Sequence, residues 1–270
     1  MSSTKLVVKS RGREEWAANR LVRQNGSAGM DQPIETQQTY WTKWNAEGRE
    51  HRLSDISRDQ LGVVLGWLTA IGRTDLNIIE VGCGAGWLCP TLKPFGRVTA
   101  TDLCAEVLSR ARARIPEVEF VAGDFMALDF ETAKYDVVVT LEMLSHVADQ
   151  DAFMAKLARM LKPGGVLMLG TQNRPVLQNH NNIPAPEPGQ LRRWVDKPEL
   201  EALLKRHFQL RQVLTITPNA NKGVMRFVAS RSAKQVLRAI AGKAVERRLA
   251  AAGFGWTLMA LAEKPTEAAN

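Results

Sequence analysis

The feature that most constrains this chain is the run Ile78-Ile79-Glu80-Val81-Gly82-Cys83-Gly84-Ala85-Gly86-Trp87. An apolar segment of strand length runs into three glycines at alternate positions. Glycine accepts positive φ and lets another group approach where a Cβ would clash. Such a turn ends a buried strand and points the start of the next helix at whatever sits above it. A dinucleotide fingerprint needs G-x-G-x-x-G. Here the third glycine falls one place early and Trp87 fills the required position, which counts against NAD or FAD. A glycine turn without companions is a weak signal, so the surrounding pattern has to carry the argument.

That pattern alternates between two periods. Leu61, Val64, Leu65, Leu68 and Ile71 recur at helical spacing, with Ser57 as the candidate N-cap. Strands are predicted over 77–81, 97–101, 118–122, 135–140, 166–170, 209–217 and 256–263. Helices are predicted over 87–94, 105–114, 150–161, stopped by Pro163-Gly164-Gly165, and 197–207, capped by Asp196. Strands alternating with helices imply βαβ units and a parallel sheet covered on both faces. The fold class read from this is α/β: a Rossmann-like, seven-stranded, mostly parallel sheet, with an N-terminal cover and a helical insert before a last strand that closes the sheet at its end. The expected division is a cover over 1–55, a core over 56–218, a basic insert or lid over 219–255, the last core strand over 256–265 and a tail over 266–270.

Two carboxylates follow strands and a third opens one. Asp102 ends the second strand, about 20 residues beyond the turn, where nucleoside-binding sheets place an acid on a ribose. Asp124 follows the third strand beside Phe125 and suits an adenine amino group. Asp136 opens the fourth, which runs to Leu141, Glu142 and Met143. Each acid alone is an ordinary loop residue; the order and spacing together point to a nucleoside-bearing ligand.

On these residues the chain resembles the class I S-adenosylmethionine (SAM) methyltransferases from about Trp41 to Lys264. Glu80 and the three glycines fit their E/D-x-G-x-G-x-G pattern. The stretch Leu141 to Asp149, with Leu161-Lys162-Pro163-Gly164-Gly165, Thr171-Gln172-Asn173-Arg174 and Lys197-Pro198-Glu199-Leu200, is similar to the ubiquinone-biosynthesis O-methyltransferases and other small-molecule enzymes. Ser145 departs from that pattern, where glutamate is usual, and so does the length of the insert. The resemblance implies SAM as cofactor and S-adenosylhomocysteine as product. It implies that Gly82, Gly84 and Gly86 pack along the methionine part, that Asp102 holds the ribose and Asp124 with Phe125 the adenine, and that Glu80, Cys83 and Leu103 are further cofactor-binding positions. Leu141 would offer its backbone to the amino group. Tyr40, Trp41 and Trp44 are candidates for a cover over the cofactor, with ordinary core packing as the alternative, and Arg52 for its carboxylate.

A base is needed only if the acceptor must lose a proton. His146 and His180 are the candidates, because an unperturbed imidazole titrates near neutrality. The alternatives are a structural histidine bonded to backbone and a solvated loop histidine. Arg192, Arg193 and Trp194 are further candidates for the acceptor side.

Charge and cysteine usage bound the partners. The net charge of +8 is concentrated in 219–255, where eight Lys and Arg stand against Glu246. Four readings of this segment stay open: a lid for an acidic acceptor, a peripheral contact with an anionic membrane, a solvated helical face, and a nucleic-acid surface, disfavoured because no aromatics are interleaved with the cations. Val236, Leu237, Ile240, Val245 and Leu249 suggest one or two amphipathic helices there. Three cysteines without a C-x-x-C pair, and four scattered histidines, argue against a disulfide framework and a metal site. No stretch reads as a membrane span or a secretory leader, so a reducing cytoplasm is the expected home. The expected function is transfer of a methyl group from SAM to a small-molecule acceptor, on oxygen first and nitrogen next. An RNA or protein methyltransferase and a non-catalytic SAM-binding protein are the alternatives.

Overall fold

Runs of Val, Ile and Leu buried on both sides can be satisfied only inside a sheet covered on both faces, and that is the arrangement in the computed structural model, which describes residues 32–46, 53–230, 232, 235, 239 and 242–266. Seven strands form one sheet: β1 (Leu76–Val81), β2 (Gly96–Asp102), β3 (Glu119–Ala122), β4 (Tyr135–Leu141), β5 (Leu161–Gln172), β6 (Gln209–Pro218) and β7 (Gly255–Glu263). Their order is β3-β2-β1-β4-β5-β7-β6. The first five pair in parallel, and β7 runs antiparallel to both its neighbours.

The side-chain alternation sorts the core. Ile79, Val81, Val138, Leu167, Leu169, Leu258 and Ala260 face one side. Helices Gln150–Met160 and Lys197–Lys205 cover it with Phe153, Met154, Leu157, Leu200 and Leu204. Ile78, Val137, Val139, Met168 and Met259 face the other. Helices Asp55–Ile71 and Ala105–Arg114 cover that side with Val64, Leu68, Leu108 and Ala111.

Several local expectations are corrected. The last strand does not close the sheet: β7 lies between β5 and β6. Its residues are buried on both faces, whereas Gln209, Arg211 and Gln212 leave β6 suited to the edge. The N-cap of the long helix is Ser54, whose Oγ accepts the Ser57 N–H at 3.0 Å, so the helix starts three residues before Arg58. It ends on Gly72 at φ 69°, a left-handed C-terminal residue that glycine supplies without strain. The helix after the glycine turn is a single turn, Cys89–Leu92, passing into a 3-10 turn at Lys93–Phe95. Pro94 cannot donate, so the helix cannot continue through it.

Helix Gln150–Met160 stops before Pro163 rather than at it. Leu161 is already extended and pairs with Tyr135. Lys162 precedes the proline and is disfavoured in α conformation. Residues 162–165 bulge out between the Leu161 and Val166 pairings. Helix Lys197–Lys205 keeps its expected cap: Asp196 and Glu199 form a reciprocal capping box.

Ahead of the core, helix α1 (Ile34–Trp44) lies across the carboxyl ends of the strands, with no residue of its own fully buried. In the basic segment the described residues form short helices at Arg226–Ala229 and Ala244–Leu249 and a wide turn at Ala250–Phe254. Val236, Leu237 and Ile240 lie outside the described residues. Among the described residues no helix is long and apolar enough to cross a membrane, and no group of three metal-ligating side chains gathers.

Candidate functional site

The strand order reverses between β1 and β4, and a sheet of this kind leaves a crevice at that switch point, outside the carboxyl ends of its strands. A cavity of about 650 Å³ occupies it, within the usual range for a small-molecule site.

Its floor is the glycine turn. Gly82 and Cys83 donate their N–H groups to Thr101 O at 2.8 and 3.0 Å, which folds the end of β1 against the end of β2. Gly82, Gly84 and Gly86 all have positive φ, of 75°, 54° and 73°. Packing reinforces that requirement: a Cβ at Gly82 would stand 2.9 Å from Met143 Sδ, and one at Gly84 3.1 Å from Asn45 Oδ1.

Asp102 is tied into the same turn. Its Oδ2 accepts the Gly84 N–H at 2.7 Å and its Oδ1 the Cys104 N–H at 3.1 Å. Burial raises its pKa, while these backbone donors pull it back. The result is an oriented carboxylate on the cavity wall with lone pairs to spare on both oxygens. Asp124 lines the next part of the wall and accepts the Met126 N–H at 2.9 Å.

Glu80 lies beneath the turn, away from the cavity lining. It is 2% exposed, and its Oε2 accepts from Cys89 Sγ at 3.2 Å. Burial pushes its pKa up to about 8. The cysteines Cys83, Cys89 and Cys104 are buried and free, and burial raises each thiol.

The roof is α1. Trp41 and Trp44 line the cavity, their rings 5.5 Å apart edge to face. Trp41 also meets the His146 ring at 4.5 Å. Asn45, 4% exposed, donates to Trp41 O at 2.9 Å and packs on Gly84.

His146 follows β4 in a short turn and lines the cavity. Its Nδ1 stands 2.6 Å from Leu191 O. A carbonyl only accepts, so Nδ1 carries the proton and Nε2 is the acceptor nitrogen. Burial, helped by the nearby Arg192 charge, lowers its pKa to about 4 against the raising effect of the Leu191 bond. The ring is neutral at physiological pH.

The structure thus gathers Trp41, Trp44, Gly82, Cys83, Gly84, Asp102, Leu103, Asp124, Phe125, Leu141 and His146 around one cavity. Phe125 does so from the core, with its ring 5.4 Å from Phe153. Tyr40, Glu80, Gly86 and His180 are not on the wall. His180 is the last residue of helix Arg174–His180 rather than part of a loop; its ring faces Phe254 at 5.7 Å and its carbonyl holds Asn221 and Lys222. Arg52 lies outside the described residues.

Sequence reasoning passed over Glu142, Gln60 and Gln172, which also line the cavity. Glu142 has φ 64° without being glycine, a backbone state that concentrates at functional sites. Its Oε1 accepts from Gln60 Nε2 and, at 3.1 Å, from Thr257 Oγ1. Its place at the end of β4, beside the switch point, was the available signal. Arg192 and Trp194 line the far side and Arg193 does not.

Residues 79–169 match a family model described as a methyltransferase domain. A ubiquinone biosynthesis O-methyltransferase from Xanthomonas oryzae pv. oryzae (strain PXO99A) is 34% identical over 143 residues, which cover 48% of this chain and 56% of that protein. The chain therefore spans little more than half the length of the curated relatives it matches. The N-methyltransferase NodS of Bradyrhizobium japonicum WM9, solved with S-adenosyl-L-homocysteine, superposes with a TM-score of 0.58 at 17% identity, over 85% of this chain and 99% of that one. A protein solved as the [4+2]-cyclase SpnF superposes with a TM-score of 0.56 at 19% identity, over 86% and 94%. At those identities the likeness is one of fold. The sheet order and the glycine turn agree with these likenesses: residues 79–169 are similar to a methyltransferase domain, and the chain has the fold of the class I methyltransferases.

Proposed function

We propose that this chain binds SAM in the cavity above the glycine turn and transfers its methyl group to a small-molecule acceptor, on oxygen first and nitrogen next. The observation that carries the reading is Asp102, desolvated and held by the Gly84 and Cys104 N–H groups on the wall of a nucleoside-sized cavity. The residues fit the cofactor. Asp102 would accept the ribose hydroxyls, Asp124 the adenine amino group, and the Gly82–Gly84 backbone would follow the methionine part. SAM supplies a methyl group already activated on a sulfonium, so the protein's share is alignment and exclusion of water. Trp41 and Trp44 serve that exclusion. His146, neutral and with Nε2 as its acceptor nitrogen, would take the proton of a hydroxyl acceptor; His180 is given no role. Glu142 and Gln172 offer oxygen acceptors to a donor group on the substrate.

The division into cover, core and insert belongs to this reading, as does a reducing compartment, which three free buried thiols suit. A second reading, binding without methyl transfer, has one observation in its favour: a [4+2]-cyclase shares the fold.

The test is incubation of the protein with SAM labelled on the methyl group and a cell extract, then separation into soluble metabolites, lipids and macromolecules. Label in metabolites or lipids is the expected outcome and sends the product to mass spectrometry. Label in RNA or protein overturns the small-molecule reading. No label, with calorimetric binding of S-adenosylhomocysteine intact, favours the second reading.

A further inference from the structure

The two most exposed large apolar side chains among the described residues, Val224 at 81% and Phe227 at 66%, stand beside Val228, at 36%, in the segment after β6. Water-facing side chains of this size, grouped within five residues, mark an interaction surface. Cations flank them, so the expectation that aromatics and cations are not interleaved in 219–255 is corrected at Phe227. Arg226 lies over the Phe227 ring at 4.7 Å, Lys222 precedes them, and the segment 219–255 carries +7.

The patch is anchored to the candidate site. His180 O accepts the Asn221 and Lys222 N–H groups at 3.0 and 3.1 Å, and Lys222 Nζ donates to Gln178 O at 2.8 Å. Asn181 Nδ2 donates to Asn219 O at 2.9 Å, and Asn182 N–H to Asn221 Oδ1 at 2.7 Å. Leu177 and Ile183, on either side of these anchoring residues, line the cavity. Five hydrogen bonds thus fasten the exposed patch to one wall of the cavity.

We propose that this patch docks on an anionic lipid bilayer. Val224, Phe227 and Val228 would enter the acyl boundary, while Lys222 and Arg226 meet the headgroups. Charge decides the occupant. A protein partner's apolar groove would suit the three side chains but gives no use for a segment of +7, and a second copy would bring the same cations against one another. An anionic interface satisfies both halves, because acyl burial and headgroup attraction add. The inference stands apart from methyl transfer. If both hold, the acceptor reaches the cavity from the lipid side, and that corollary alone rests on the reading above.

The experiment is co-sedimentation of the full chain with vesicles of phosphatidylcholine alone or mixed with phosphatidylglycerol, at low and high salt. The expected result is pelleting with the anionic vesicles only, weakened by salt. The double variant Val224→Ser/Phe227→Ser should lower binding about tenfold or more, from the lost burial of two apolar side chains, with binding of S-adenosylhomocysteine unchanged as the check on folding. The Lys222→Glu/Arg226→Glu pair should abolish the preference for anionic lipid. A wild type that stays in the supernatant with both vesicles overturns the proposal. So does pelleting that the apolar pair leaves unchanged. A wild-type dimer in light scattering that the same pair converts to a monomer assigns the patch to a second copy and overturns it too.

Discussion

Asp102 does two jobs at once. Its oxygens fix the glycine turn through Gly84 and Cys104, and the same oxygens face the cavity. Asp102→Asn keeps the size but loses the charge, and its amide nitrogen would meet a backbone N–H that needs an acceptor. We expect the Kd for S-adenosylhomocysteine to rise about tenfold to a hundredfold, the range for hydrogen bonds to a charged group; calorimetry reads this, and an unchanged Kd removes the ribose assignment. His146 poses the opposite question, because its tautomer is set by Leu191 O and its ring is packed on Trp41. If Nε2 takes the acceptor's proton, His146→Ala lowers the turnover rate about a hundredfold and leaves the affinity for S-adenosylhomocysteine in place. A loss of affinity with turnover preserved would assign the ring to packing alone. The residue scale is also where the sequence was least legible. Asp102 and Asp124 announced themselves by their place after a strand. Glu142 did not, because its left-handed backbone and its bonds to Gln60 and Thr257 join residues 82 and 115 positions away. His180 looked like a loop residue, yet its helix carries it against Phe254.

Among the elements, the core strands were legible to within a few residues where their apolar runs are bounded by turns, and helix Lys197–Lys205 by its Asp196 cap, whereas the Ser57 cap was three residues late. What local pattern could not supply was order in the sheet. The strand over 256–263 read as the one that closes the sheet at its end, and only burial on both faces puts β7 inside. The cover helix α1 was legible only as a knot of aromatics, because no residue within it is fully buried. Its seat is made by Gly189, at φ 86°, whose N–H donates to Gln32 Oε1 at 3.1 Å. A Cβ there would stand 2.3 Å from Thr36 O and 3.0 Å from Tyr40 Cβ. Gly189→Ala should therefore push α1 off the cavity while the sheet stays intact. The expected signature is faster proteolysis within Ile34–Trp44 and weaker binding of S-adenosylhomocysteine, with far-ultraviolet circular dichroism essentially that of the wild type. Wild-type affinity in this variant would mean that α1 is not part of the cofactor's enclosure.

At the scale of the whole molecule, two buried titrating groups bend stability in opposite directions. His146 has its pKa lowered from 6.5 to about 4 by burial. Between those values the unfolded chain binds the proton and the folded chain does not, so stability falls as pH drops through that window. Glu80 has its pKa raised from 4.5 to about 8, chiefly by burial, with Asp102 adding to the rise and the Cys89 bond opposing it. Between those values the folded chain holds the proton and the unfolded chain has lost it. Its contribution is therefore complete below 4.5 and is lost as pH rises toward 8, on the order of 3 to 5 kcal/mol at full extent. Glu80→Gln keeps the shape, leaves an oxygen to accept from Cys89, and removes the titration. Thermal unfolding of the ligand-free protein across the pH range should then show a variant whose Tm exceeds the wild type's at pH near 8. The gap should close as the pH falls toward 5, and the decline on the acid side, which belongs to His146, should be the same in both proteins. Parallel Tm curves across the whole range would mean that Glu80 is ionised in the folded state, held under the glycine turn as an anion rather than as a neutral acid.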